Sequence, residues 1–400
     1  MAKVAVIIAP GFEEGEALAL VDVFRRAEID CDMVGLTSAE VAGGHEIVVR
    51  TDVAFDGTLD GYDMVVLPGG YGGADAMRDD DRFQDALRAM NAAGKWVCAI
   101  CAAPIALDRA GILAEKRFTC YPGTAPKIEE KNATWVDGVV VRDGNLITSQ
   151  GPATAYAFAY ALVDALGVDS EPVKQRMVYY NAFDVDGGTP SWELSRGAWD
   201  VEGERTFEQV PRRIEHPKAA VLMVEGYEES ETMQIVDLLR RADVEAHTFR
   251  FQDDPFVHSM QGMDVRSDKV FGPEVRDYDL IVVPGGRTAA APLIANDEVM
   301  DTLRWFDGQG KLVCAMCSGT TVLEAAGVLA GKCATGYTGY GAKLKSATFV
   351  ADEVAVWDQN VVTSQGPATP YPFAFKIMEA LGIDPGYIKG RLLYAKAGGR

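Results

Sequence analysis

The same chemical device stands twice in this chain. "WVCAICAAPIAL" fills residues 96–107 and "LVCAMCSGTTVL" fills 312–323. In each copy an apolar run ends on a cysteine, small residues follow at once, and a helix-like stretch begins. A sulfur at a sharp strand-to-helix turn is exposed at the top of a sheet. The start of the next helix favours thiolate over thiol, and its first N–H groups can steady an oxyanion. Cys101 and Cys317 are therefore the candidate nucleophiles. The competing reading is a buried structural cysteine. Of the seven cysteines, only Cys98/Cys101 and Cys314/Cys317 recur in both copies, which favours function. A thioredoxin-like pair needs both sulfurs at a helix start, and Cys98 and Cys314 fall inside the strands. A zinc site needs four converging ligands, which two separate CxxC pairs do not supply, so no metal is expected.

A carboxylate recurs with each cysteine. Glu16 lies one turn before Leu20 on an apolar stripe with Phe24 and Ala27, and Glu231 stands in the same relation to Ile235 and Leu239. An inward carboxylate has a raised pKa and can hold a proton for a nearby sulfur. Glu13, Glu14, Glu228 and Glu229 fit ordinary helix N-terminal charge instead. Glycines follow another strand in "LPGGYGG" (67–73) and "VPGGRTA" (283–289). They permit close backbone approach, and Gly70 and Gly286 can lend N–H groups to the same oxyanion as the Ala102 and Ser318 N–H groups. Neither GxGxxG nor GxxxxGK[ST] is present, which weakens a phosphate-loop reading.

The elements that must position these residues come from duplication of a whole domain. "GFEEGEALALVDVFRRAEID" (11–30) matches "GYEESETMQIVDLLRRADVE" (226–245), and "LITSQGPATAYAFAYALVDALG" (146–167) matches "VVTSQGPATPYPFAFKIMEALG" (361–382). The tail "VKQRMVYYNA" (173–182) matches "IKGRLLYAKA" (388–397). Domains are expected over 1–182 and 218–400. The polar stretch 183–217, which has no second copy, reads as a linker, with Trp192 and Trp199 suggesting that part of it packs. Near-continuous apolar runs such as "KVAVIIA", "DMVVLP" and "KWVCAI" are expected of strands covered on both faces. They alternate with helical spacing in "EGEALALVDVFRRA" and "DRFQDALRAMNAAG". Alternating β and α predicts two mostly parallel α/β sandwiches, with active sites beyond the carboxyl ends of strands.

Composition excludes several partners. The net charge of −21 repels phosphate backbones, so neither nucleic acid nor an anionic membrane is an expected partner. The first apolar run is too short for a signal-peptide core or a membrane span, which predicts a cytoplasmic protein. An odd cysteine count without such a signal argues against a disulfide framework.

Together "AICAAP", "EEGEA", "LPGG", "TSQGPAT" and "VDVFRRA" resemble the ThiJ/PfpI superfamily, and most its Parkinson-associated deglycase branch. The resemblance implies a flavodoxin-like three-layer sandwich in each half, a reactive elbow cysteine, and an acid touching it that matches Glu16 and Glu231. It implies no cofactor. Members are described as glutathione-independent glyoxalases, deglycases, peptidases, chaperones or oxidative-stress sensors. The resemblance also implies that Arg26, Arg241, Pro152 and Pro367 lie near a partner's pocket, in an intramolecular pseudo-dimer that is open to further homo-oligomerisation. Helix-end charge explains the arginines equally well. Peptidase and chaperone branches carry His after the cysteine, where this chain has Ala102 and Ser318. The deglycase branch has His where this chain has Tyr121 and Tyr337, and tyrosine is a poor base at neutral pH. None of the four histidines repeats, which disfavours a Cys–His peptidase or amidotransferase-like hydrolase.

Two functions use the same residues. One is thiol-dependent conversion of a small reactive carbonyl such as methylglyoxal. The other is an oxidation sensor or chaperone-like stress protein whose thiolate stops at sulfinate. The Ser318 hydroxyl and Arg287 predict a lower thiol pKa in the second site than in the first.

Overall fold

The computed structural model describes residues 2–185, 187–191 and 205–399. Trp192 and Trp199 lie outside the described residues. The chain forms two compact units, one of Met1–Val173 with Gly390–Ala397, the other of Lys174–Lys389 with Gly398–Arg400.

In the first unit the strands of the main sheet are β1 (Lys3–Ile8), β2 (Asp30–Gly35), β3 (Val53–Ala54), β4 (Met64–Leu67), β5 (Trp96–Ile100), β6 (Val140–Asp143) and β7 (Leu146–Ser149). They form one sheet in the order β6-β7-β5-β4-β1-β2-β3. Every pair is parallel except β6 with β7. In the second unit the strands of the main sheet are β8 (Lys218–Leu222), β9 (Glu245–Arg250), β10 (Lys269–Val270), β11 (Leu280–Val283), β12 (Leu312–Met316), β13 (Ala355–Asp358) and β14 (Val361–Ser364). Their order is β13-β14-β12-β11-β8-β9-β10, the same arrangement with the same single antiparallel edge pair. This identity of strand order is what duplication requires.

The central strands are apolar at every position because helices cover both faces. β4 is buried along its whole length, and so is β11. Helix α1 (Glu14–Arg26) packs with helix α2 (Ala155–Ala165), and helix α3 (Glu229–Arg241) packs with helix α4 (Pro370–Leu381). Asp80 caps the helix Asp81–Ala92 by accepting the Arg82 and Phe83 N–H groups, and Gly94 just past its end takes a φ of 69°. Phe83, Leu87 and Met90 of that helix fill the core against the sheet. Each such burial contributes about 1.5–3 kcal/mol.

Repeat and packing boundaries differ. Residues 174–182, assigned by repetition to the first domain, pack in the second unit, and 390–397 pack in the first. The Met177 carbonyl accepts the Ala368 N–H, and Asn181 Nδ2 donates to Gln365 Oε1. Lys396 pairs with Asp137 at 2.7 Å. Val178 and Leu393, at matching positions of the two tails, both take left-handed backbone, with φ of 53° and 61°. For a β-branched valine this conformation is a true outlier. The Val178 side chain fills the space left by Gly366, and that of Leu393 the space left by Gly151.

The expected linker is partly a strap on the second unit. Glu208 donates its N–H to Asp358 and accepts from the Gln359 N–H, while Gln209 donates to the Trp357 carbonyl. Arg212 bonds the Gly310 carbonyl through Nε and Nη2, and its N–H reaches the Ala380 carbonyl.

Candidate active site

Each cysteine sits just past the carboxyl end of a central strand, Cys101 after β5 and Cys317 after β12. Both take left-handed backbone, with φ of 62° and 53°. Such a conformation in a residue with a Cβ costs about 1–3 kcal/mol and persists only where the surroundings fix it. The neighbouring strand supplies that fixing. The Cys101 N–H donates to the Ser149 carbonyl and the Cys317 N–H to the Ser364 carbonyl, both at 3.1 Å. "TSQGPAT" holds these serines in turn: the Ser149 and Thr154 hydroxyls bond at 2.7 Å, and the Ser364 and Thr369 hydroxyls at 2.8 Å.

The glutamates reach the same place. Glu16 and Glu231 are fully buried on α1 and α3. Glu16 Oε2 accepts the Gly69 N–H at 2.7 Å, and Glu231 Oε2 accepts the Gly285 N–H at 2.8 Å. Each carboxyl group also hydrogen-bonds the sulfur of its unit. A backbone N–H also bonds each sulfur, that of Gly70 on Cys101 and that of Ser318 on Cys317. Gly70 and Gly286 have φ of 83° and 132°, which glycine adopts without strain.

The electrostatics differ from the expectation of an activated thiolate. Burial pushes the Cys101 thiol well above its ordinary range, and the Glu16 and Glu13 carboxylates push further, while the Gly70 N–H opposes them. Burial acts in the same way on Cys317, followed by Glu231 and Glu228, with the Ser318 N–H opposing. The helix after Cys101, Pro104–Arg109, has six residues and is capped at Ala103, so its dipole is weak at the sulfur. A buried carboxylate against a buried thiol favours a pair that shares one proton over two independent acids. The expected asymmetry also lacks its donor: the Ser318 hydroxyl donates to the Gly286 carbonyl at 2.9 Å.

Other sequence candidates are placed as follows. The Tyr121 N–H donates to the Cys101 carbonyl, and the Tyr337 hydroxyl donates to the Arg176 carbonyl. Arg26 pairs with Asp22 and Arg241 with Asp237, both aspartates buried on the same helix. Pro152 opens the short turn Pro152–Thr154, and Pro367 is buried. Glu14 and Glu229 serve structure, accepting the His45 and Gln261 N–H groups. Glu228 caps α3 through the Glu231 N–H. Cys98 and Cys314 are fully buried within their strands.

Two features escaped sequence reasoning. A Cβ at Gly69 would lie 2.6 Å from the Cys101 Cβ and 2.7 Å from Glu16 Oε2, and one at Gly285 would lie 2.4 Å from Glu231 Oε2. The first glycine of each pair, not only the second, therefore makes room for the dyad. Tyr340 is the other. Burial raises its hydroxyl pKa, and the Cys317 and Glu231 charges raise it further, so it lies within electrostatic reach of the second site. Repetition gives no signal for it, because Thr124 occupies the matching position.

Among the described residues, no helix is long and apolar enough to cross a membrane. The DJ-1/PfpI family model matches residues 2–165 and again 217–380. Protein DJ-1 homolog B of Arabidopsis thaliana is 29% identical, over 94% of this chain and 84% of its own length. Protein dj-1beta of Drosophila melanogaster is 40% identical, over 44% of this chain and 97% of its own length. The crystal structure of Drosophila DJ-1beta aligns with a TM-score of 0.42 at 39% identity, covering 44% of this chain and 97% of that one. Because the family model fits both halves and spans most of the chain, this protein belongs to the DJ-1/PfpI family and carries its domain twice in tandem.

Proposed function

We propose that the protein converts small reactive carbonyls such as methylglyoxal by cysteine chemistry, as a glutathione-independent glyoxalase or deglycase-like enzyme acting without a cofactor. The observation that carries this reading is the buried carboxyl bonded to the elbow sulfur, which a backbone N–H also meets, in both units. The sulfur adds to the aldehyde carbon, forming a C–S bond, and its proton passes to the new alkoxide by way of Glu16 or Glu231. The carboxylate then takes the proton from that carbon and returns it to the neighbouring ketone carbon, while the hydroxyl proton on the first carbon passes to the ketone oxygen. The first carbon is oxidised to a thioester as the second is reduced to an alcohol. Water cleaves the C–S bond, releasing the hydroxy acid and restoring the thiol. No outside oxidant or reductant is needed.

Lactate release from methylglyoxal tests it. Cys101→Ser and Cys317→Ser should each retain the turnover of the other unit, and the double variant should fall to background. A double variant as active as the parent overturns the reading. If the parent releases no lactate but both elbow cysteines gain two oxygen atoms under mild peroxide, the oxidation-sensor function replaces it.

A further inference from the structure

One arrangement recurs in both units although its parts come from different sequence positions. In the first unit the Lys127 ammonium stands 4.7 Å from the centroid of the Tyr71 ring. In the second, the Lys343 ammonium stands 3.8 Å from the centroid of the Tyr340 ring. The lysines match by repetition, but the tyrosines do not. Tyr71 follows Gly70, where the second copy has Arg287, and Tyr340 stands where the first copy has Thr124. Tyr71 adjoins the glycine whose N–H meets the Cys101 sulfur, and Tyr340 feels the charges of Cys317 and Glu231. Lys127 also lines a cavity of about 590 Å³ together with Ile105, which packs with Ala102 and Cys101.

Charge makes the coincidence informative. In a chain of net charge −21, an ammonium without a carboxylate partner is a local site of opposite sign. Lys127 and Lys343 are both exposed, and among the described residues neither has a carboxylate within ion-pair distance. Arg78, Arg109 and the carboxylates of Asp108, Glu129 and Glu130 line the same cavity; Arg109 is paired with Asp79 and Asp81, and Asp108 accepts the Glu129 and Glu130 N–H groups. An ammonium fixed on an aromatic face keeps its charge and a fixed position while remaining open to an anion. We propose that Lys127 and Lys343 select carbonyl substrates that carry a carboxylate, holding that group at the mouth while the aldehyde meets the sulfur. The proposal rests on the carbonyl chemistry above and names its substrate class.

The test uses the full chain and two probes of nearly equal size, neutral iodoacetamide and anionic iodoacetate, with peptide mapping of each cysteine. The ratio of their rates cancels the reactivity of the sulfur itself. Lys127→Gln should lower the iodoacetate-to-iodoacetamide ratio about threefold at Cys101 and leave Cys317 unchanged, as expected of one charge several ångströms away in water. Lys343→Gln should do the reverse, and Lys→Arg at either position should restore the ratio. Glyoxylate should protect Cys101 from iodoacetamide better than methylglyoxal does, and Lys127→Gln should remove that advantage. An unmoved ratio, a fall shared equally by both cysteines, or equal protection by the two aldehydes overturns the proposal. Labelling of the other cysteine by the neutral probe reports misfolding within each sample. Methylglyoxal turnover with an unmoved ratio defeats this proposal alone, whereas a shifted ratio without turnover defeats the carbonyl reading.

Discussion

A methyl group on Gly69 would meet the Cys101 Cβ, Glu16 Oε2 and the Ala102 nitrogen within 3.1 Å. Glu16 Oε2 is held by its 2.7 Å bond to the Gly69 N–H, and the Cys101 backbone by its bond to the Ser149 carbonyl, so neither retreats cheaply. Gly69→Ala should therefore cost about 1–3 kcal/mol of stability, as overpacking of a tight interior does. It should also slow alkylation of Cys101 while Cys317 reacts as in the parent. Thermal denaturation and timed iodoacetamide labelling check the two halves of this prediction, and Gly285→Ala should mirror it. The carboxylate and the elbow sulfur were both legible in the sequence, because each recurs and its spacing fixes its face of a helix or its end of a strand. The direction of the thiol shift was not. It depends on the dryness around the sulfur and on a charge brought from a distant helix, and a helix N-terminus read from sequence outweighs neither.

At the scale of elements, strand and helix positions followed from apolar runs and stop signals. "KWVCAI" became β5 and "EGEALALVDVFRR" became α1, because burial on both faces and a buried helix stripe leave plain patterns. The strap was less visible. Its polar residues bind through backbone groups and carbonyls, which leave no hydrophobic period. Arg212→Ala removes two charge-assisted bonds to Gly310 and should cost about 1–2 kcal/mol. Faster amide exchange at Gln359 would show that the strap loosens, and unchanged exchange would deny it a structural role. The tail of the first unit carries a pH-dependent tie. Lys396 and Gln150 hold the Asp137 carboxyl below its ordinary value. A depressed carboxyl stabilises the folded form above its unfolded pKa, about 3.9, and the contribution is lost as pH falls through the depressed value. Hydrogen exchange at the Ala397 amide should therefore be constant from neutral pH to about pH 4 after correction for intrinsic rates, then accelerate. Asp137→Asn should show the faster rate already at neutral pH.

At the scale of the whole molecule, duplication was the most legible feature, since matched landmarks survive divergence of the residues between them. Two sheets with the same strand order follow from it. What matching could not reveal is where each copy of a matched segment packs. "VKQRMVYYNA" and "IKGRLLYAKA" are alike in sequence, and likeness carries no information about which core receives them. Residues 1–182 expressed alone hold every strand of the first sheet but lack Leu393 and Lys396, leaving the space at Gly151 unfilled. That fragment should melt below a chain in which residues 1–173 are joined directly to 390–397. Equal melting temperatures would show that the tail contributes nothing to its unit.

The exchange of tails also bears on how such a chain can be taken apart. A protease cutting in 183–217 would sever the polypeptide between the two repeats, yet neither product would own a complete fold, because each would keep the other's last segment. The natural module here is discontinuous in the gene. Recombination that swaps one half at the repeat boundary would import a foreign tail into the unit that was kept, so the two halves are bound to evolve as a matched set.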